Sequence, residues 1–324
     1  MRAWSALLFS PLLLAGCGQG DDPLGYAEYA VQGTYTAALS PDASYGVVGS
    51  IQHGGSLWDI NRNERLYNWN HQQGDYTNLV ATAFSPEGDF AVTAGPQDLV
   101  LWQVNDGQPV WYWNAPAEIL AADLGPGGNL ALLGLADHTA VLFDIKNGGV
   151  RQTVRHQGRV RAVAISDDGT LALTGGDDNH ARLWSLASGE MLQQQPHGNG
   201  VNTVALSPSG DYAFSAGQLD KALIWRTDSG QITQTLTTDE SLLPQRITYT
   251  AAVFSPNSDR LLTGTSAGLV QLWNVSDGRE LKRWTLHKRD PFRPTSATVY
   301  AVGFGGGNRY FALGSNGFVN QLGN

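Results

Sequence analysis

The 324-residue sequence has one cysteine, two methionines and few charges, which make up 15% of the chain. A single cysteine, Cys17, rules out an intrachain disulfide framework and any zinc site built on cysteines. Cations are scarce too: 20 Lys and Arg face 29 Asp and Glu, a net charge of -9. That balance argues against nonspecific nucleic-acid binding, which works by neutralising phosphates. Apolar residues spaced for helices are rare, and the one long apolar run lies at the extreme N-terminus.

What the chain does have is glycine, 39 residues of it, and many short apolar runs bounded by turn residues. The stretch His156–Trp184 shows the unit most clearly: Val160–Ile165, Leu171–Thr174 and Ala181–Trp184 read as strands. Asp167-Asp168-Gly169 and Gly176-Asp177-Asp178-Asn179 supply the turns between them. Such a unit is too small to bury its own apolar faces, and the chain repeats it. Ser-Pro turns recur at Ser40-Pro41, Ser85-Pro86, Ser207-Pro208 and Ser255-Pro256, with looser copies at Gly125-Pro126, Ser166-Asp167 and Gly305-Gly306. An aromatic ends the third strand at Trp58, Trp102, Phe143, Trp184, Trp225 and Trp273; the seventh copy lacks it. A period of about 41 to 48 residues is that of propeller blades.

These residues carry a family resemblance. Leu-Trp endings, Ser-Pro-x-Gly turns and a histidine ahead of the first strand (His156, His197) resemble WD repeats, from about Tyr26 to Leu322. The resemblance implies an all-β, seven-bladed β-propeller of four-stranded blades. It also implies a hydrogen-bond network within a blade, which the fourth repeat matches in full as His156, Thr174, Asp178 and Trp184. The fifth repeat keeps His197, Ser215 and Trp225 with its acid at Asp220, and the third keeps only Asp137 and Thr139. By this reading no other repeat carries the whole set. The last repeat stops after its third strand, while Gly25–Gln32 resembles a fourth strand without a blade. The ring is therefore expected to be closed by an N-terminal strand.

Residues 1–16 read as a lipoprotein signal peptide: Arg2, a short apolar core, then Leu14-Ala15-Gly16-Cys17, which resembles the bacterial lipobox. Cys17 is the expected lipidation site, 17–24 a lipidated tether and 25–324 the propeller. Gly18-Gln19 follow Cys17, without Asp at the position that would mark inner-membrane retention, so the expected address is the outer membrane, facing the periplasm.

No catalytic constellation is legible. Gly264-Thr265-Ser266-Ala267-Gly268 has the form of a nucleophile elbow, but strand-forming residues follow it where a helix is required. The seven histidines are scattered, and the paired aspartates fall at turns, so no metal is expected. Asn105–Trp111 and Asp277–Trp284 are similar to the docking motif of quinoprotein propellers but lack its threonine, so no cofactor is expected. Four tryptophans, Trp69, Trp111, Trp113 and Trp284, fall on fourth strands, where packing between blades is the expected use.

Two loops leading into first strands are long. One, 237–248, holds Arg246; the other, 285–296, gathers His287, Lys288, Arg289, Phe292 and Arg293. A cationic loop stiffened by prolines suits an acidic protein partner or anionic headgroups. The sequence thus points to a monomeric, non-enzymatic, protein-binding scaffold held to the cell envelope by lipid. The alternative is an envelope propeller enzyme, hydrolase or quinone-dependent, with its site in the central channel.

Overall fold

The computed structural model describes residues 20–72, 74, 76–236, 247–290 and 297–323. Within them lie 28 strands, β1 to β28 in chain order, arranged as seven antiparallel sheets of four. Six sheets are contiguous in sequence: β2–β5, β6–β9, β10–β13, β14–β17, β18–β21 and β22–β25. We call these blades 1 to 6.

Blade 7 is composite. β26 (Val299–Phe304), β27 (Tyr310–Gly314) and β28 (Phe318–Leu322) come from the C-terminus, and β1 (Gly25–Glu28) adds the outer strand. The register runs from Gly25 opposite Gln321 to Glu28 opposite Phe318. Without β1, the unpaired backbone groups of β28 would form an open edge. The N-terminal strand closes the ring.

The arm before β1 is also docked. Asp21 bridges Trp284 in parallel: its N–H donates to the Arg283 carbonyl (2.9 Å), and its carbonyl accepts from Thr285 N–H (3.0 Å). Gly20 and Asp21, in the segment read as a tether, therefore lie against β25 (Glu280–Thr285), the outer strand of blade 6. Gly20 permits this approach, since a Cβ there would stand 2.6 Å from the Trp284 backbone carbon.

There is no single core. Buried apolar side chains form seven clusters, one wedge at each interface between neighbouring blades. The third-strand aromatics Trp102, Phe143, Trp184, Trp225 and Trp273 each fill one wedge. A blade lacking a neighbour would expose a whole wedge, at about 25 cal/mol per Å². This is why the repeat has to come as a ring. The Ser-Pro turns serve the same end: Gly88 N–H donates to the Ser85 carbonyl (2.9 Å), and Gly88 takes φ +79°, which a side chain would resist. Gly264–Gly268 is a hairpin turn between β23 (Arg260–Thr265) and β24 (Leu269–Asn274), as the residues following it require.

Candidate functional site: the channel mouth and the loops around it

The first strand of each blade lines a central channel of about 660 Å³. These inner strands are β2 (Thr34–Leu39), β6 (Ala81–Phe84), β10 (Ile119–Leu124), β14 (Val160–Ile165), β18 (Val201–Leu206), β22 (Tyr249–Phe254) and β26. Down the bore the residues are apolar: Ala38, Ala83, Ala164, Ala205, Val253 and Gly303 share one level. One residue breaks that level, Asp123. Burial pushes its carboxyl up to about 7, against the pull of two amides, Leu124 N (2.9 Å) and Ile165 N (2.8 Å), which donate to it. The second of those bonds crosses from blade 3 to blade 4, so Asp123 is a strut between blades.

The mouth is different. Six of the seven inner strands carry a β-bulge at their second residue, which turns that side chain out of the ladder. The six residues are Tyr35, Leu120, Arg161, Asn202, Thr250 and Tyr300. Val80, just ahead of β6, holds the same place in blade 2, its N–H donating to the Ala94 carbonyl (2.8 Å). The ring they form has two halves. Tyr300, Tyr35, Val80 and Leu120, on blades 7, 1, 2 and 3, are aromatic or aliphatic, and Tyr35 is 52% exposed. Arg161, Asn202 and Thr250, on blades 4, 5 and 6, are polar. Arg161 is pinned by Asp177 through Nε (3.0 Å), while Asn202 and Thr250 donate to the carbonyls of Tyr249 (2.7 Å) and Val299 (2.6 Å). Exposed Tyr76 and Leu219 occupy connections that open on the same face. The sequence reading passed over this ring. The signal was one residue after the start of each first strand, where side chains vary from blade to blade.

The fourth-blade network is assembled as a closed circuit. His156 Nε2 lies 2.7 Å from Thr174 Oγ1, and Trp184 Nε1 donates to the same oxygen (2.8 Å). On the other side, Arg182 donates to Asp178 Oδ2 (2.6 Å) and its guanidinium lies against His156 Nδ1 (2.5 Å). His156 Nδ1 also faces Asp178 Oδ1 at 3.1 Å, and burial holds the His156 pKa below its ordinary value. Burial opposes the Asp178 charge, yet bonds from Gln157 N–H, Arg182 and His156 bring its pKa down to about 2. Arg182 is a member of this network that the motif did not announce.

A second complete set stands in blade 2, correcting the expectation that only one repeat carries it. His71 Nδ1 meets Asp98, His71 Nε2 lies 2.9 Å from Thr93 Oγ1, and Trp102 Nε1 donates to Thr93 (2.8 Å). The longer loop after His71 hides it in the sequence: 31 positions separate His71 from Trp102, against 28 from His156 to Trp184. Blade 5 keeps His197 to Ser215 (3.0 Å) and Trp225 to Ser215 (3.2 Å), with Asp220 farther off at 3.7 Å. In blade 3, Asp137 is spent locally on Thr139 (2.6 Å).

Of the residues singled out for partner binding, Arg246, Phe292 and Arg293 lie outside the described residues, as does Cys17. His287 and Arg289 are held at the ring closure. The His287 ring stacks on Tyr26 with centroids 3.4 Å apart, and Arg289 reaches Glu28 (2.5 Å), the Asn316 carbonyl (3.0 Å) and the face of Phe318 (5.0 Å). Both side chains bind β1 and β28 together. Lys288, between them, is half-buried.

The four outer-strand tryptophans divide. Trp69 and Trp284 are fully buried, with indole N–H groups donating to the carbonyls of Gly107 (3.1 Å) and Gly323 (3.0 Å). Trp113 packs on Phe143, but Trp111 is 46% exposed beside exposed Tyr112 on β9 (Pro109–Asn114). Interblade packing therefore accounts for three of them and not for Trp111.

Among the described residues no group of three or more His, Cys, Asp or Glu is placed to hold a metal ion, and no helix is long and apolar enough to cross a membrane. The WD40 family (WD domain, G-beta repeat) matches residues 149–185 and 189–226, which contain blade 4 and most of blade 5. No curated protein matches the chain.

Proposed function

We propose that this WD40-repeat propeller is a non-enzymatic protein-binding scaffold, anchored by lipid on Cys17 to the outer membrane and facing the periplasm. WD40 propellers are in general protein-binding platforms and usually non-catalytic. The lipobox-like Leu14–Cys17 supports the anchor. The observation that carries the binding role is the bulged ring at the channel mouth. A rigid circle of side chains that differ from blade to blade gives a partner a surface with a built-in orientation. Its aromatic half offers large contact area at low entropy cost, and its polar half offers a guanidinium, an amide and a hydroxyl already fixed by neighbours. Exposed Tyr76 and Leu219 extend the surface outward.

The test is a photo-crosslinking residue placed at Tyr35 or, as a control, at Met191 on an outer strand of blade 4, in cell-envelope preparations. A discrete adduct from position 35 that Arg161→Glu abolishes is expected. Equal yields from both positions would refute the mouth as the docking surface. For the anchor, Cys17→Ser is expected to move the protein from membrane to soluble fractions; continued membrane association would place the anchor elsewhere.

A further inference from the structure

The repeats supply a control for one residue of the bore. Where the other blades carry Ala38, Ala83, Ala164, Ala205, Val253 and Gly303, blade 3 carries Asp123. The ring does not require a carboxylate at this position, because the other blades join their neighbours with alanine, valine or glycine there. The amides of Leu124 (2.9 Å) and Ile165 (2.8 Å) fix the direction of the Asp123 carboxylate but use only two of its roughly four acceptor sites. Asp123 lines the cavity, so the remaining acceptor capacity is available to a guest.

The cavity selects by size, charge and wall chemistry. Its volume of about 660 Å³ falls within the roughly 300–1,000 Å³ of small-molecule sites. Among the described residues three charged side chains line it: Asp123, Asp167 and Arg161. The Arg161 guanidinium is taken up by Asp177, through Nε (3.0 Å) and Nη2 (3.1 Å). Neither lining carboxylate has an ion pair among the described residues, so the cavity favours a cation. Burial raises the pKa of both; Asp167 raises that of Asp123 further, and Glu87 and Asp168 do the same to Asp167. A hard metal ion takes about six or more oxygen ligands, whereas the residues level with Asp123 offer only alkyl groups or hydrogen. An organic ammonium suits such a wall, with its chain on the alanine and valine side chains and its charge on the carboxylate. A lysine reaching in from a docked partner falls short. Asp123 lies three residues along β10 from Leu120 at the mouth, about 10 Å, and a lysine's four-carbon stem spans about half of that.

We propose that the central channel binds a small alkylammonium ion, free in solution, with its chain along the alanine-lined bore and its charged end on Asp123. The site lies below the ring of mouth residues and is independent of what docks there.

The experiment titrates the full-length protein with hexylammonium and, as the neutral probe of like length, with 1-hexanol, binding being read by ligand-observed NMR. The amine keeps its proton up to about pH 10, as a lysine does, so its own charge is constant across the range used. At pH 8 it is expected to bind several-fold more tightly than hexanol. A carboxyl titrating at about 7 is about one-tenth ionised at pH 6 and about nine-tenths at pH 8. Hexylammonium binding to the unaltered protein is therefore expected to tighten about ninefold from pH 6 to pH 8, and hexanol binding to stay constant. Asp123→Asn is expected to remove both the preference for the cation and its pH dependence. Because that change also costs a bond between blades 3 and 4, Ala38→Phe serves as a second variant. It fills the bore at the same level, leaves the Asp123 bonds in place and is expected to abolish binding. Equal affinity for the two probes, or an affinity for the amine that does not change with pH, would overturn the site. Binding that survives Ala38→Phe would place it outside the bore, and a pH dependence kept by Asp123→Asn would take the role from Asp123. An acetylated lysine peptide that binds as tightly as hexylammonium would overturn the free amine in favour of a partner's side chain.

Discussion

Blades 4 and 7 meet the same requirement by opposite means. Blade 4 is one unbroken stretch of chain, knit by a buried polar circuit whose members, His156 to Trp184, lie within 28 residues of one another. Blade 7 has neither the circuit nor the third-strand aromatic. It takes its outer strand from the far end of the chain and fastens it with His287, Arg289 and Glu28. A blade made of neighbouring residues can form early at little loop-closure cost, whereas joining β1 to β28 orders the ends of the whole chain. The first is a local device, the second a lock on the ring.

The largest effect is expected from breaking the lock. Deleting residues 20–28 removes a strand, uncovers the Trp284 wedge and opens the edge of β28; a loss above about 3 kcal/mol is expected in chemical denaturation. A melting curve unmoved by the deletion would mean that the ring holds without its clasp. In blade 4, Thr174→Val strips the one hydroxyl that both His156 and Trp184 use, in a fully buried place, at an expected cost of about 1–3 kcal/mol. Thr93→Val sharpens the comparison: if the blade 2 set is equivalent, its cost matches that of Thr174→Val, and a far smaller loss would rank blade 2 as a copy in geometry only.

A pH titration sets the blade 4 circuit against its looser copy in blade 5. Burial lowers the His197 pKa to about 4 and lowers that of His156. The unfolded chain then binds more protons than the folded one below about pH 6.5, so stability is full above that value and declines as the pH falls towards about 4. The His197 shift corresponds to about 3 kcal/mol at the acid end of that window. His197→Gln should flatten this slope in urea denaturation, and an unchanged slope would remove blade 5 from the account. Asp178, held at about 2, adds stability that is present above about pH 4 and is lost as the pH falls through about 2. The smallest effect is expected from Arg289→Ala. It removes a partly exposed ion pair and a cation–π contact, about 1 kcal/mol together.

Much of this architecture is legible in the residues, because a repeat states its own period. Ser-Pro-x-Gly turns and Leu-Trp strand ends mark the blades, and an orphan fourth strand at Gly25 with a truncated seventh repeat marks the closure. The network in blade 4 was legible because its four members keep the expected spacing. That in blade 2 was not, because the loop following His71 shifts the histidine relative to strands that pair independently of it. Arg182 went unnoticed because nothing in a strand pattern says that a guanidinium will be buried beside a histidine. His287 and Arg289 read as members of a binding loop because their partners Tyr26 and Glu28 are about 260 residues away in sequence.

By itself the sequence determined the number of blades, the strands within each and the way the circle is closed, since turn chemistry and alternating burial act between near neighbours. It determined the place of the sole cysteine as well. Tertiary structure alone decided which side chains meet at the channel mouth, since each comes from a different blade and only ring closure brings the seven together. It also decided where the N-terminal arm leaves the rim, because that contact depends on a glycine fitting against a backbone more than 260 residues further along the chain.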